Sequence, residues 1–172
     1  MIKIEDLVQL KAFARQDGAI LCLLWFVSFL AIMYMPESGL GNILALLTPI
    51  LVGWRLCAFR NYALGGYISL RRSYGYCVYT FVYSSMIFAL GQYLYFKFLD
   101  HGTFYAMLAT SAATMSEVYR QSGLSTQDID STLAMMKSLS PIHWAFLFMM
   151  QNFFVGFVLS LPIAAVCRRK HH

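Results

Sequence analysis

Four stretches of this chain, residues 18–36, 38–54, 73–96 and 138–167, contain no Asp, Glu, Lys or Arg, and the single Glu37 separates the first two. Crossing a hydrocarbon core of about 30 Å takes roughly 17–25 helical residues, and a single helix satisfies its own backbone hydrogen bonds where no water is present. All four stretches meet that length. The chain is 59% hydrophobic and 12% charged, against about 45–50% and about 25% in a soluble domain. A domain of 172 residues cannot hide so much apolar surface from water in one core. The net charge of +5 is therefore not read as a nucleic-acid interface. A disordered chain is excluded by the same hydrophobicity.

The expected fold is all-α: a single integral membrane domain over 1–172, a four-helix bundle with spans at about 18–36, 38–54, 73–96 and 141–167. The second span carries Asn42, Thr48 and Pro49, so a kink is expected in it, and a half-inserted hairpin with the first span is the competing reading. Cytoplasmic flanks accumulate Lys and Arg. Ten such residues fall on one side, namely Lys3, Lys11, Arg15, Arg55, Arg60, Arg71, Arg72, Arg168, Arg169 and Lys170. The segment 97–137 holds three, Lys97, Arg120 and Lys137, against four acids. Both termini are therefore expected in the cytoplasm. Cys22, Cys57, Cys77 and Cys167 then fall near the reducing side.

The N-terminal charged stretch followed by an apolar one is read as an uncleaved first span, because Glu5, Asp6 and Asp17 precede it and Pro36-Glu37-Ser38-Gly39 turns directly into the next apolar run. Residues 2–14 are expected to form a short amphipathic surface helix with Ile4, Leu7 and Val8 on one side. Gly39-x-Gly41 and Gly65-Gly66 are read as turn glycines. Between spans three and four, Phe104, Met107, Leu108, Met115 and Val118 recur at helical spacing, as do Ile129, Leu133 and Met136 after Gly123. Two extracytoplasmic amphipathic helices are expected there, the second capped by Ser125 or Thr126. Their apolar stripes need cover from the bilayer, the bundle or a partner protein. Met107, Met115, Leu133 and Met136 are the candidate partner surface, methionine being adaptable.

No GxSxG, HExxH, Walker or dinucleotide-binding motif is present, and no Cys/His cluster has metal-ligand spacing. No cofactor or metal is expected, and a non-catalytic protein is the reading. His143, Asn152 and Asp100 are the residues an enzyme would be tested on. Two clusters point to association. Arg55, Arg60, Arg71 and Arg72 surround a loop without an acid, beside Tyr62, Tyr67, Tyr74 and Tyr76, and are candidates for contact with a phosphate or lipid headgroup. Gly156, Ser160 and Ala164 repeat every fourth residue, a small-residue stripe suited either to packing within the chain or to a homodimer.

Gly65-Gly66-Tyr67-Ile68-Ser69, then Tyr93-Leu94-Tyr95-Phe96-Lys97-Phe98-Leu99-Asp100, then Gly123-Leu124-Ser125 leading to Met135-Met136-Lys137-Ser138-Leu139-Ser140-Pro141, and finally Gly156-Phe157-Val158-Leu159-Ser160-Leu161 before Arg168-Arg169-Lys170 run in an order and spacing that resembles the DUF4199 family of small four-span membrane proteins. The resemblance covers most of the chain. It implies a bacterial inner-membrane protein of the Bacteroidota kind and carries no activity or catalytic residues. The expected role is an accessory or scaffold subunit of an envelope component, with the lipid bilayer and a membrane-protein partner as its surroundings. The alternative is a small homodimeric transporter or lipid-handling protein.

Overall fold

The computed structural model describes residues 4–169. Their helices are α1 (Ile4–Tyr34), α2 (Leu40–Leu46), α3 (Thr48–Ala63), α4 (Leu70–Leu94), α5 (Thr103–Gln121), α6 (Gln127–Lys137) and α7 (Pro141–Cys167), with a 3-10 turn at Pro36–Ser38 and a π turn at Tyr95–Leu99. No strand occurs among the described residues, and the one extended pairing there is an isolated antiparallel bridge between Ile68 and Arg169. Four segments, Glu5–Tyr34, Leu40–Ala63, Leu70–Leu99 and Pro141–Cys167, are long and apolar enough to cross a membrane. The all-α class and the four candidate spans are as the sequence predicts.

The differences lie at helix ends. α1 starts at Ile4 and runs without interruption through Asp17 and Gly18, so the separate surface helix expected over 2–14 is the first part of the first long helix. The cause is that the residues joining the two segments, Arg15-Gln16-Asp17, contain nothing that ends a helix. Residues 2 and 3 of that expected helix, and Lys3 and Lys170 of the charge count, lie outside the described residues. The second span divides at Leu47, immediately before Thr48-Pro49 at the start of α3. Pro49 has no N–H to offer the carbonyl of Ala45, which accounts for the break.

The chain forms two compact units, residues 4–90 with 148–169, and residues 91–147. In the first, Leu10, Ala14, Leu21, Val52, Leu56, Tyr76 and Phe81 are among the buried core. Phe59 stacks on Tyr76 with ring centroids 4.9 Å apart, and Phe88 takes edge contacts from Trp25, Phe26 and Phe29 at 5.6, 5.0 and 6.0 Å. Ser28 donates to the carbonyl of Gly41 at 2.7 Å, and the indole N–H of Trp25 donates to Thr48 Oγ1 at 3.0 Å. Gly41, a turn glycine by its sequence pattern, lies inside α2 instead, where a Cβ would come within 2.4 Å of Ile32 Cγ1; the turn itself is made by Gly39 at φ 67°. In the second unit, Phe104 packs against Phe96 at 5.1 Å and edge-on against Trp144 at 4.8 Å. Asp100 Oδ1 accepts from the N–H of Phe104 at 2.9 Å, satisfying a donor at the start of α5.

Candidate functional site

The first unit holds a buried charge one residue outside its first charge-free stretch. Asp17 is 2% exposed and sits inside α1 among residues of α3 and α4. Arg55 of α3 donates through Nε to Asp17 Oδ1 at 2.6 Å, and its Nη2 lies 2.5 Å from the same oxygen. Tyr76 of α4 donates its hydroxyl to Asp17 Oδ2. Both carboxylate oxygens are thus engaged, one by a cation and one by a phenol. A buried carboxylate is costly unless paired and hydrogen-bonded, and here it ties three helices at one level.

That bond also answers where Arg55, Arg60, Arg71 and Arg72 go. Arg55 is occupied by Asp17. Arg60 donates through Nη1 to the carbonyl of Cys167 at 2.7 Å and through Nε to Asn61 Oδ1 at 3.0 Å. Arg72 reaches back to α1, with Nη2 3.5 Å from Asp6 and 3.4 Å from Gln9 Oε1. Arg71 is exposed at the start of α4. The four do not converge on one point. The chain brings a different set together instead: the backbones of Ile68 and Arg169 exchange hydrogen bonds at 2.9 and 3.2 Å, so the arginine-bearing loop is joined to the tail that carries Arg168 and Arg169. No short-range pattern announces this pairing, because its two partners stand far apart in sequence.

Gly156, Ser160 and Ala164 are all buried within the first unit. A Cβ on Gly156 would come within 2.6 Å of Phe81 Cβ, so α7 and α4 meet there at a distance only glycine permits. Ser160 Oγ donates to the carbonyl of Gly156 at 2.6 Å. The stripe is filled by the chain's own helices.

In the second unit, α5 and α6 enclose a groove of about 470 Å³. Leu108, Met115, Ile129, Leu133 and Met136 line it, with Tyr119, Asp128 and Thr132 among the polar positions. Three of the four residues expected from sequence to form a partner surface, Met115, Leu133 and Met136, come together here; Met107 does not line the groove. A neighbouring cavity of about 330 Å³ shares Leu108 and Met136 and is walled by Phe96, Phe104, Tyr105 and Trp144, with Asp100 and Lys137 also present. Lys137 Nζ stands 5.4 Å from the Tyr105 ring centroid, a cation–π contact. His143 Nδ1 is 2.7 Å from Ser140 Oγ. Among the described residues no three His, Cys, Asp or Glu side chains gather as a metal site would need.

A family model described as "Protein of unknown function (DUF4199)" matches residues 16–169. No curated protein matches the chain, and no solved structure matches it.

Proposed function

The chain belongs to the DUF4199 family, and from that premise we propose that it is a non-catalytic accessory or scaffold subunit of a bacterial envelope component, held in the inner membrane by a bundle of four spanning helices. Its termini face the cytoplasm, in line with the ten Lys and Arg on that side against three between 97 and 137. α5 and α6 are an amphipathic pair on the opposite face. The observation that carries this reading is their groove, about 470 Å³ in volume and floored by Leu108, Met115, Ile129, Leu133 and Met136. Methionine-rich apolar grooves suit an adaptable protein partner, and the volume lies within the range of roughly 300–1,000 Å³ that receives an anchoring group.

The homodimeric transporter has less support. Its interface would be Gly156, Ser160 and Ala164, which are already buried against the chain itself.

Photocrosslinking in the native membrane tests the proposal, with the reactive residue placed at Leu133 or Met136 and, as a control, at Met86, which is exposed on α4. The expected result is the same membrane protein captured from Leu133 and Met136 and absent from Met86, with capture and co-purification lost in Leu133→Arg. Lipid adducts alone, or a second copy alone, would overturn it.

A further inference from the structure

Apart from the partner groove of the second unit, the first unit has a cleft of about 370 Å³ between α3 and α7. Its walls include Ile50, Gly53 and Trp54 on one helix and Pro162, Val166 and Cys167 on the other. Gly53 contributes no side chain where a Cβ would lie 3.6 Å from Cys167 Sγ, and the compact ring of Pro162 stands opposite, so the cleft is a consequence of sequence. Both walls belong to candidate membrane spans. Its outer edges are open: Val166 is 84% exposed and Trp54 64%.

One end of the cleft is cationic. Cys167, at that end, gives its carbonyl to the Arg60 guanidinium at 2.7 Å, and Arg168 and Arg169 follow directly in sequence, both exposed. The ion pairs among the described residues are Arg55 with Asp17, Arg72 with Asp6 and Arg120 with Glu117, so no described acid neutralises Arg60, Arg168 or Arg169. An apolar cleft at membrane depth that opens onto unneutralised arginines is complementary to a molecule with a hydrocarbon chain and an anionic head. Arginine holds a phosphate through paired N–H donors, and basic pockets between membrane helices take anionic headgroups.

We propose that the α3–α7 cleft is a binding site for an anionic glycerophospholipid, one acyl chain lying along Ile50, Gly53 and Pro162 and the headgroup phosphate held by Arg60, Arg168 and Arg169. The site goes beyond the accessory role and does not depend on it.

The test is native mass spectrometry of the full chain purified in detergent. It is titrated separately with phosphatidylglycerol, with phosphatidylcholine of the same acyl chains, and with inorganic phosphate. Phosphatidylglycerol is expected to be retained at a concentration about tenfold or more below phosphatidylcholine. The double variant Arg168→Gln with Arg169→Gln is expected to bind the two lipids alike, and Val166→Trp, which fills the open edge, to retain neither. Ile50→Trp on the opposite wall replaces Val166→Trp should that variant not elute as a single species. Equal retention of the two lipids by the unaltered chain, or unchanged retention with either wall filled, would overturn the proposal. So would loss of the preference for phosphatidylglycerol on adding inorganic phosphate, since the site would then be one for free phosphate.

Discussion

Among the described residues Asp17 is the charged side chain that the fold buries. Its carboxylate is held by Arg55 and Tyr76, and removing it leaves a guanidinium that is only 24% exposed without its counter-charge. Breaking a buried pair from one side costs about 3–5 kcal/mol; because a quarter of Arg55 already reaches the surface, Asp17→Ala is expected near the lower figure. Tyr76→Phe removes one hydrogen bond to a charged acceptor and is expected to cost less, about 1.5–3 kcal/mol. Replacing Asp17 and Arg55 together by leucine is expected to recover part of the loss, since no charge is left unpaired while the buried Tyr76 hydroxyl still loses its acceptor. Unfolding in mixed detergent and SDS micelles, followed by circular dichroism, measures the series; a double variant no better than Asp17→Ala would show that the pair acts otherwise. The same residue explains what sequence hides. An uncharged stretch ends at Asp17 by definition, so the first span reads as beginning at Gly18. The partner that makes an acid tolerable at that position lies 38 residues away, where no local pattern connects them. Arg55 is legible as a candidate anion ligand on charge alone. That its charge is already used is a fact of tertiary structure.

Helices in this chain meet through glycines, and the contacts differ in kind. A Cβ at Gly18 of α1 would stand 3.0 Å from the backbone carbonyl oxygen of Thr80 and 3.2 Å from the amide of Ser84 in α4. Backbone atoms of a packed helix cannot step aside, so Gly18→Ala is expected to cost about 1–3 kcal/mol. At Gly75, also in α4, no atom beyond its own stretch of helix lies within 4 Å of the place a Cβ would take. There the helix propensity of alanine is gained without a clash, and Gly75→Ala is expected to stabilise by about 0.5–1 kcal/mol. The same micelle unfolding assay checks both, and a matched sign would refute the packing argument. At the start of α5, Asp100→Ala removes the acceptor for the Phe104 N–H. It is expected to cost about 1 kcal/mol, with Asn largely restoring it, read as a loss of protection of the first amides of α5 in hydrogen exchange. Elements are more legible in the sequence than the partners of single residues. The breaks at Pro49 and Gly123 and the start of α7 at Pro141 follow from residues that constrain their own backbone, and they fall where those residues predict them. Gly41 misleads, because a glycine kept for a close helix approach looks, in sequence, the same as one kept for a turn.

At the scale of the whole molecule the decisive question is whether the divided segment Leu40–Ala63 crosses, because its parity sets where the two ends of the chain lie. Four crossings place both termini on one side, as does a half-inserted hairpin of the first two spans in which neither crosses, whereas a Leu40–Ala63 that re-enters on the side it left gives three crossings and places them on opposite sides. The break at Leu47 does not by itself forbid crossing: the N–H of Leu47 reaches the carbonyls of Ile43 and Leu44, each at 3.2 Å, and the Thr48 hydroxyl is engaged by Trp25. Pro49 withholds a donor from a single carbonyl, a modest loss at membrane depth when neighbouring helices lie close. Charge argues the same way. Arg55, Arg60, Arg71 and Arg72 follow the break, and Arg168 and Arg169 are joined to their loop by the Ile68–Arg169 bridge. A Leu40–Ala63 segment that failed to cross would put this loop on the same side as the tight Pro36–Ser38 turn, which has no cation, against the usual bias. Both ends of the chain, fused in turn to a reporter active only in the cytoplasm, are therefore expected to give signal, and a fusion within 97–137 none. Signal from the N-terminal fusion and from the fusion within 97–137, with none from the C-terminal one, would assign Leu40–Ala63 to a re-entrant segment that does not cross.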